Sequence, residues 1–177
     1  LEQPDGRMIL APDLGFIESA FDEAKYGGFA AKLPMEIILP TLHDDSLAPA
    51  GAHIVSALVQ YAPYNIKGGW FTHKERLLDN VLSSIAQYAP GVRSALVASE
   101  VLTPEDLEQR FRLGGGHWHH AEFAIDNWWM NRPTYGASQY SGPVAGFYLC
   151  GAGTHPGGGL MGAAGRNAAQ KILAEEN

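Results

Sequence analysis

The sequence holds one cysteine, Cys150, which excludes an intrachain disulfide and a cysteine-built zinc centre and suits a reducing, cytoplasmic location. Basic residues are scarce as well. Twelve Lys and Arg stand against nineteen Asp and Glu, a formal charge of −7, and they are scattered rather than grouped in a stripe. Nucleic acid is therefore not an expected partner, and a phosphate-bearing ligand would be held mainly by backbone amides and a helix terminus. No apolar run approaches the roughly 20 residues needed to span a bilayer, so no membrane span is expected. The opening LEQPDGRMIL lacks the basic-then-apolar pattern of a signal peptide. A start this abrupt is equally compatible with a true amino terminus lying upstream, where any targeting segment would be out of view. There is no internal repeat, and no G-x-S-x-G elbow supports a hydrolase.

With apolar residues at 46% and charged residues at 18%, the chain has enough core-forming material for a globular fold and too little charge for a disordered tail. Its 177 residues suit one ordinary domain or two partial lobes. Leu14, Ile17, Phe21 and Ala24 recur at helical spacing, with Asp13 as a cap and Gly27 and Gly28 as the stop. The runs MEIILPTL and HIVSALVQYAPY, separated by the loop HDDSLAPAGA, read as two adjacent antiparallel strands. Leu77, Leu78, Val81, Leu82 and Ile85 mark a second helix over 73–88 that stops at Pro90 and Gly91. The run VRSALVASEVL then leads to Thr103, where Thr-Pro-Glu-Asp opens a short third helix ending near Phe111. Beyond the break LGGGHWHH and the aromatic stretch NWWMNRP, GFYLC reads as a buried strand. It is followed by a glycine-rich turn and a final helix from about Gly162. The expected class is α+β, divided into 1–115 and 116–177.

A strand entering a glycine-rich turn and then a helix is a recipe for holding a phosphate or a polarised ring edge. Absent side chains admit the ligand to the backbone, and the helix amino terminus offers free N–H groups and partial positive charge. CGAGTHPGGGLMG fits this recipe. A self-contained dinucleotide fold would need G-x-G-x-x-G, but Gly151, Gly153 and Pro156 occupy those positions and no strand follows the helix.

The segments GFYLCGAGTHPGGGLMGAAGRNAAQKIL, LVQYAPYNIKGGW and VLTPEDLEQRFRLGGG resemble the carboxy-terminal half of phytoene dehydrogenase-like FAD-dependent oxidoreductases. The likeness runs from about Gly6 to Leu173 and is closest to a branch with animal members. It implies that 1–115 is part of a substrate-binding domain and that 116–177 is the closing element of an FAD-binding domain. The Rossmann half of that domain is not encoded here. It further implies that Gly151 and Ala152 lie near the phosphate and ribityl groups of FAD, and that Gly158, Gly159, Leu160 and Met161 lie under the flavin. A helix amino terminus aimed at the ring would stabilise the charge that a reduced flavin gathers, with no basic residue required. The expected activity is removal of hydride from an apolar small-molecule substrate. The alternative is a non-catalytic fragment or assembly subunit that holds FAD only with a complementary Rossmann-containing chain. Either way, a surface left uncovered near 116–177 predicts self-association, most simply as a homo-oligomer.

Other constellations are weaker. His117, His119 and His120, with Glu122 nearby, match no metal-ligand spacing, so no metal site is expected and a substrate-side or structural role is favoured. The resemblance places Asn where this chain has His117, while His120 fits the pattern. His155 fits too, either as a turn former or as a proton-handling group near the ring. Trp128, Trp129 and Met130, like Tyr61 and Tyr64, read as core in preference to a substrate channel. Arg166 reads as a solvated or core-edge group rather than a cofactor contact. Cys150 reads as a small buried residue, since it lacks the motif by which a flavin is attached through cysteine.

Overall fold

A computed structural model describes residues 6–175, and the chain divides into two compact units, Leu1–Thr103 and Pro104–Asn177. Helices and a small antiparallel sheet make the class α+β. The units separate at Thr103 and Pro104, upstream of residue 115.

The first unit is built on a three-stranded sheet in the order β1 (Met8–Leu10), β2 (Met35–Ile38), β3 (Ser56–Val59). Both pairings are antiparallel, with Met35 opposite Leu10 on one side and Val59 on the other. Alternation decides which face is buried. Met35 and Ile37 point into the core, while Glu36, between them, is partly exposed and pairs with Arg7 at 3.0 Å. The two strands read from the sequence are therefore present and adjacent, and β1 is an addition that its three residues were too few to signal.

Helix α1 (Leu14–Lys25) begins where the sequence places it, because the Asp13 carboxylate accepts a hydrogen bond from the Phe16 amide at 2.8 Å. Helix α2 (Lys74–Ala86) contributes Leu77, Val81 and Ile85 to the core, and a single turn, α3 (Val92–Ala95), follows it. The core gathers Phe29, Leu33, Met35, Ile37, Ile66, Trp70 and Leu77. Trp70 stacks on Phe29 with ring centroids 5.8 Å apart, and its indole N–H donates to the Pro63 carbonyl at 3.0 Å. This meets the condition under which a buried indole stabilises a core. Tyr61 is half-buried and meets Phe21 edge to face at 5.4 Å, whereas Tyr64 is exposed.

The second unit contains helices α4 (Pro104–Phe111) and α5 (Ala163–Glu175), joined by a long run of turns. Both helices start where the sequence predicts. The expected buried strand GFYLC does not form. Tyr148 forms an isolated backbone bridge with Ser141, the Leu149 amide donates to the Tyr140 carbonyl at 2.8 Å, and Phe147 and Cys150 are exposed. The physical reason is that a strand needs a partner for its N–H and C=O groups, and no strand among the described residues of this unit lies beside it. Cys150 is accordingly not the small buried residue expected. Trp128, Trp129 and Met130 are exposed too, Trp129 to 67%, so the core reading of NWWM is also corrected.

Candidate functional site in the closing turn and helix

Twelve residues, Gly151 to Gly162, link the bridge at Tyr148 to α5 without regular structure. Their shape is set by short local bonds: the Thr154 amide and hydroxyl both donate to the Gly151 carbonyl, at 3.0 and 2.7 Å, and the Gly157 amide donates to the Thr154 carbonyl at 2.7 Å. Glycine is required at Gly157, which has φ +109° and stands so close to Phe123 that an added Cβ would lie 2.6 Å from its ring.

Of the six residues predicted to contact a cofactor, the structure brings two into direct contact. A Cβ added to Gly158 would sit 3.2 Å from the Ala152 methyl, so the two arms of the turn touch where side chains are smallest. Gly151 and Gly159 line the exposed side of the turn. Leu160 and Met161 project outward; Leu160 is fully exposed and has a left-handed backbone (φ +61°) that an apolar side chain adopts only at a cost. The turn thus presents a backbone-lined edge flanked by two outward apolar side chains.

Helix α5 follows directly. Its first bond runs from the Arg166 amide to the Gly162 carbonyl at 3.0 Å, so the preceding amides are the ones a helix leaves unpaired at its amino terminus. Ala164 and Ala168 are its buried face, and Asn167 donates to the Tyr140 hydroxyl at 2.7 Å, fixing the helix to the loop before it. Arg166 is exposed.

The loop 117–133 supplies what sequence reasoning missed. Arg132 is fully buried, and its Nη2 donates to the His119 and Ala152 carbonyls, at 2.5 and 3.0 Å. It thereby ties the histidine loop to the turn. Phe123 lies over the guanidinium, 4.4 Å from ring centroid to Cζ, a cation–π contact. Among the described residues, the guanidinium Nε and Nη1, and the Nδ1 of His155, are buried without a hydrogen-bond partner. Burial lowers the pKa of Arg132, yet a guanidinium keeps its charge near neutral pH. The available signal was an arginine set in an aromatic run of a chain poor in basic residues, against the expectation that no basic group was needed.

His117 and His119 lie with ring centroids 5.8 Å apart, and the His119 amide donates to His117 Nδ1 at 3.3 Å. Burial, together with the charges of His119 and Arg132, holds the His117 imidazole below its ordinary pKa, against the opposing pull of Glu122. Gly153 reaches within 3.5 Å of the His120 Cβ when a methyl is added to it, so the histidine loop and the glycine turn are neighbours. Among the described residues, no three His, Cys, Asp or Glu side chains are grouped to hold a metal ion, and no helix is long and apolar enough to cross a membrane.

No family model matches the chain. Among individual proteins, it is 44% identical to pyridine nucleotide-disulfide oxidoreductase domain-containing protein 2 of Mus musculus, over 97% of this chain and 31% of the relative. The chain is related to that branch. The protein of the same name from Rattus norvegicus is also 44% identical, over 91% of this chain and 28% of the relative. At greater distance, the lycopene-forming phytoene desaturase of Pantoea ananas is 26% identical over 79% of this chain. The relatives carry oxidoreductase and desaturase names, and the chain spans about a third of the length of the mouse and rat relatives.

Proposed function

We propose that this chain provides the flavin-facing, carboxy-terminal part of an FAD-dependent oxidoreductase that takes hydride from an apolar substrate. The observation that carries the reading is the closing turn and helix: Ala152 against Gly158, exposed backbone at Gly151 and Gly159, and the free amides that open α5. These residues fit a flat, partly anionic ring edge, because Gly151 has empty space where a Cβ would be. FAD, when bound, supplies the hydride acceptor. The chain's own residues do the rest. The α5 amides place partial positive charge beside the ring edge, and Leu160 and Met161 exclude water from it. The exposed Trp128 and Trp129, 5.9 Å apart between centroids, offer apolar contact to a substrate. In this reading residues 1–115 form part of the substrate-binding domain and 116–177 the closing element of the FAD-binding domain.

The purified 177-residue chain tests the proposal directly through the visible absorption of flavin retained after incubation with FAD and gel filtration. Retained FAD supports the reading, and a colourless chain rules out independent oxidoreductase activity for it. A second reading, in which the chain holds FAD only together with a complementary Rossmann-containing chain, is favoured by the exposure of Trp129, Met130, Ile125 and Leu160. Apolar surface of this kind marks an interface. Light scattering that shows self-association agrees with it, whereas a monomer at high concentration counts against it.

A further inference from the structure

We propose that Arg132 is the receptor for an anionic oxygen group, a phosphate or a carboxylate, at the junction of the 117–133 loop and the 151–157 turn. Three observations meet there. First, the guanidinium is fully buried and, among the described residues, no carboxylate pairs with it. A buried cation without a counter-charge is strongly unfavourable, whereas one bonded to an anion is retained at modest cost. Second, Nη2 is committed to two carbonyls while, among the described residues, Nε and Nη1 have no hydrogen-bond partner. The side chain is therefore anchored by one nitrogen and keeps donors in reserve, as a group held ready for a ligand does. Third, His155, in the same turn, carries the other buried polar side-chain nitrogen without a partner.

The access route is visible as well. The Phe123 ring covers the guanidinium and packs against Gly157, and a Cβ added to Gly157 would stand 3.8 Å from the Arg132 Nε. Phe123 is itself 43% exposed, so displacement of one half-exposed ring beside a glycine uncovers the unused donor. A purely structural arginine would spend its donors on the protein, as Nη2 does. The inference stands apart from the flavin reading, since the missing counter-charge is the same whether the anion is a nucleotide phosphate or the carboxylate of an organic acid.

The test uses inorganic diphosphate and hexanoate as probes, with chloride at matched ionic strength as the reference. Melting of the chain is followed in each. A saturable rise of about 5 °C or more with either probe, beyond that in chloride, is expected; diphosphate alone points to a nucleotide source and hexanoate alone to an acid substrate. Arg132→Gln should abolish the rise, and Arg132→Lys should weaken apparent affinity about tenfold or more. No rise with either probe, or a rise that survives in Arg132→Gln, overturns the proposal. Should Arg132→Gln fail to fold, the side-chain nitrogen spectrum of isotope-labelled native protein decides instead. The Arg132 Nε–H resonance shifts on addition of the active probe, and a resonance that stays fixed with both probes overturns the assignment.

Discussion

Gly116 is the residue whose replacement by alanine should damage the second unit most. Its φ is +66°, and an added Cβ would lie 2.1 Å from the Pro104 carbonyl oxygen and 2.5 Å from the Pro104 Cα. Both are backbone atoms of the first residue of α4, so no side chain can swing away. Left-handed backbone costs an alanine about 1–2 kcal/mol, and relieving an overlap with fixed atoms costs about 1–3 kcal/mol more. Gly116→Ala is therefore expected to lose about 2–5 kcal/mol, a large share of the stability of a small domain. Gly165 is the control: it lies inside α5 with nothing within 4 Å of an added Cβ, so Gly165→Ala should gain about 0.5–1 kcal/mol from helix propensity. Urea unfolding of both variants, read as the midpoint at constant slope, measures the difference. A Gly116→Ala midpoint equal to that of the native chain would mean that a methyl group fits against the Pro104 backbone.

Three further outcomes follow from particular contacts. Asp13→Ala removes the acceptor of the Phe16 amide and should cost about 0.5–2 kcal/mol, visible as a lower urea midpoint; an unchanged midpoint would mean that the cap contributes nothing. Because the folded state holds His117 below the ordinary value of 6.5, below that pH the unfolded chain binds a proton that the folded chain refuses. The stability contributed by this site is therefore complete above about pH 6.5 and declines as pH falls through it. The drop in melting temperature between about pH 7.5 and pH 5.5 should be smaller in His117→Asn than in the native chain, and equal drops would contradict the assignment. Gly158→Val would drive branched carbons into Ala152 and towards His119 Nδ1, 3.9 Å from the added Cβ. It should destabilise the unit by about 1–3 kcal/mol and weaken any FAD retention, which equilibrium dialysis measures.

The helices were legible because each carries its own punctuation. Asp13 caps α1, Pro104 opens α4, and α5 starts next to Gly162. The β2–β3 pair was legible from composition and from the loop between them. Strand β1 was not, since three residues carry no period. The failure at GFYLC is of another kind. The run is apolar in composition, but whether it becomes a strand depends on a partner edge that composition does not encode. The same cause leaves Trp128, Trp129 and Met130 exposed, because an aromatic run looks alike whether a core or another surface covers it. At the candidate site, the glycines that bring Ala152 against Gly158 were visible in the motif. Arg132 was not, because its role depends on a carbonyl twenty residues away, a pairing that local pattern cannot show.

The turn 151–162 and the first amides of α5 are proposed to face a flavin. Amide resonances of the labelled chain, followed during titration with FAD, test it most directly. Shifts concentrated in Gly151, Ala152, Gly158 to Met161 and the opening residues of α5 are expected. Shifts confined to the unit Leu1–Thr103, or none in the turn while FAD is demonstrably bound, would contradict it.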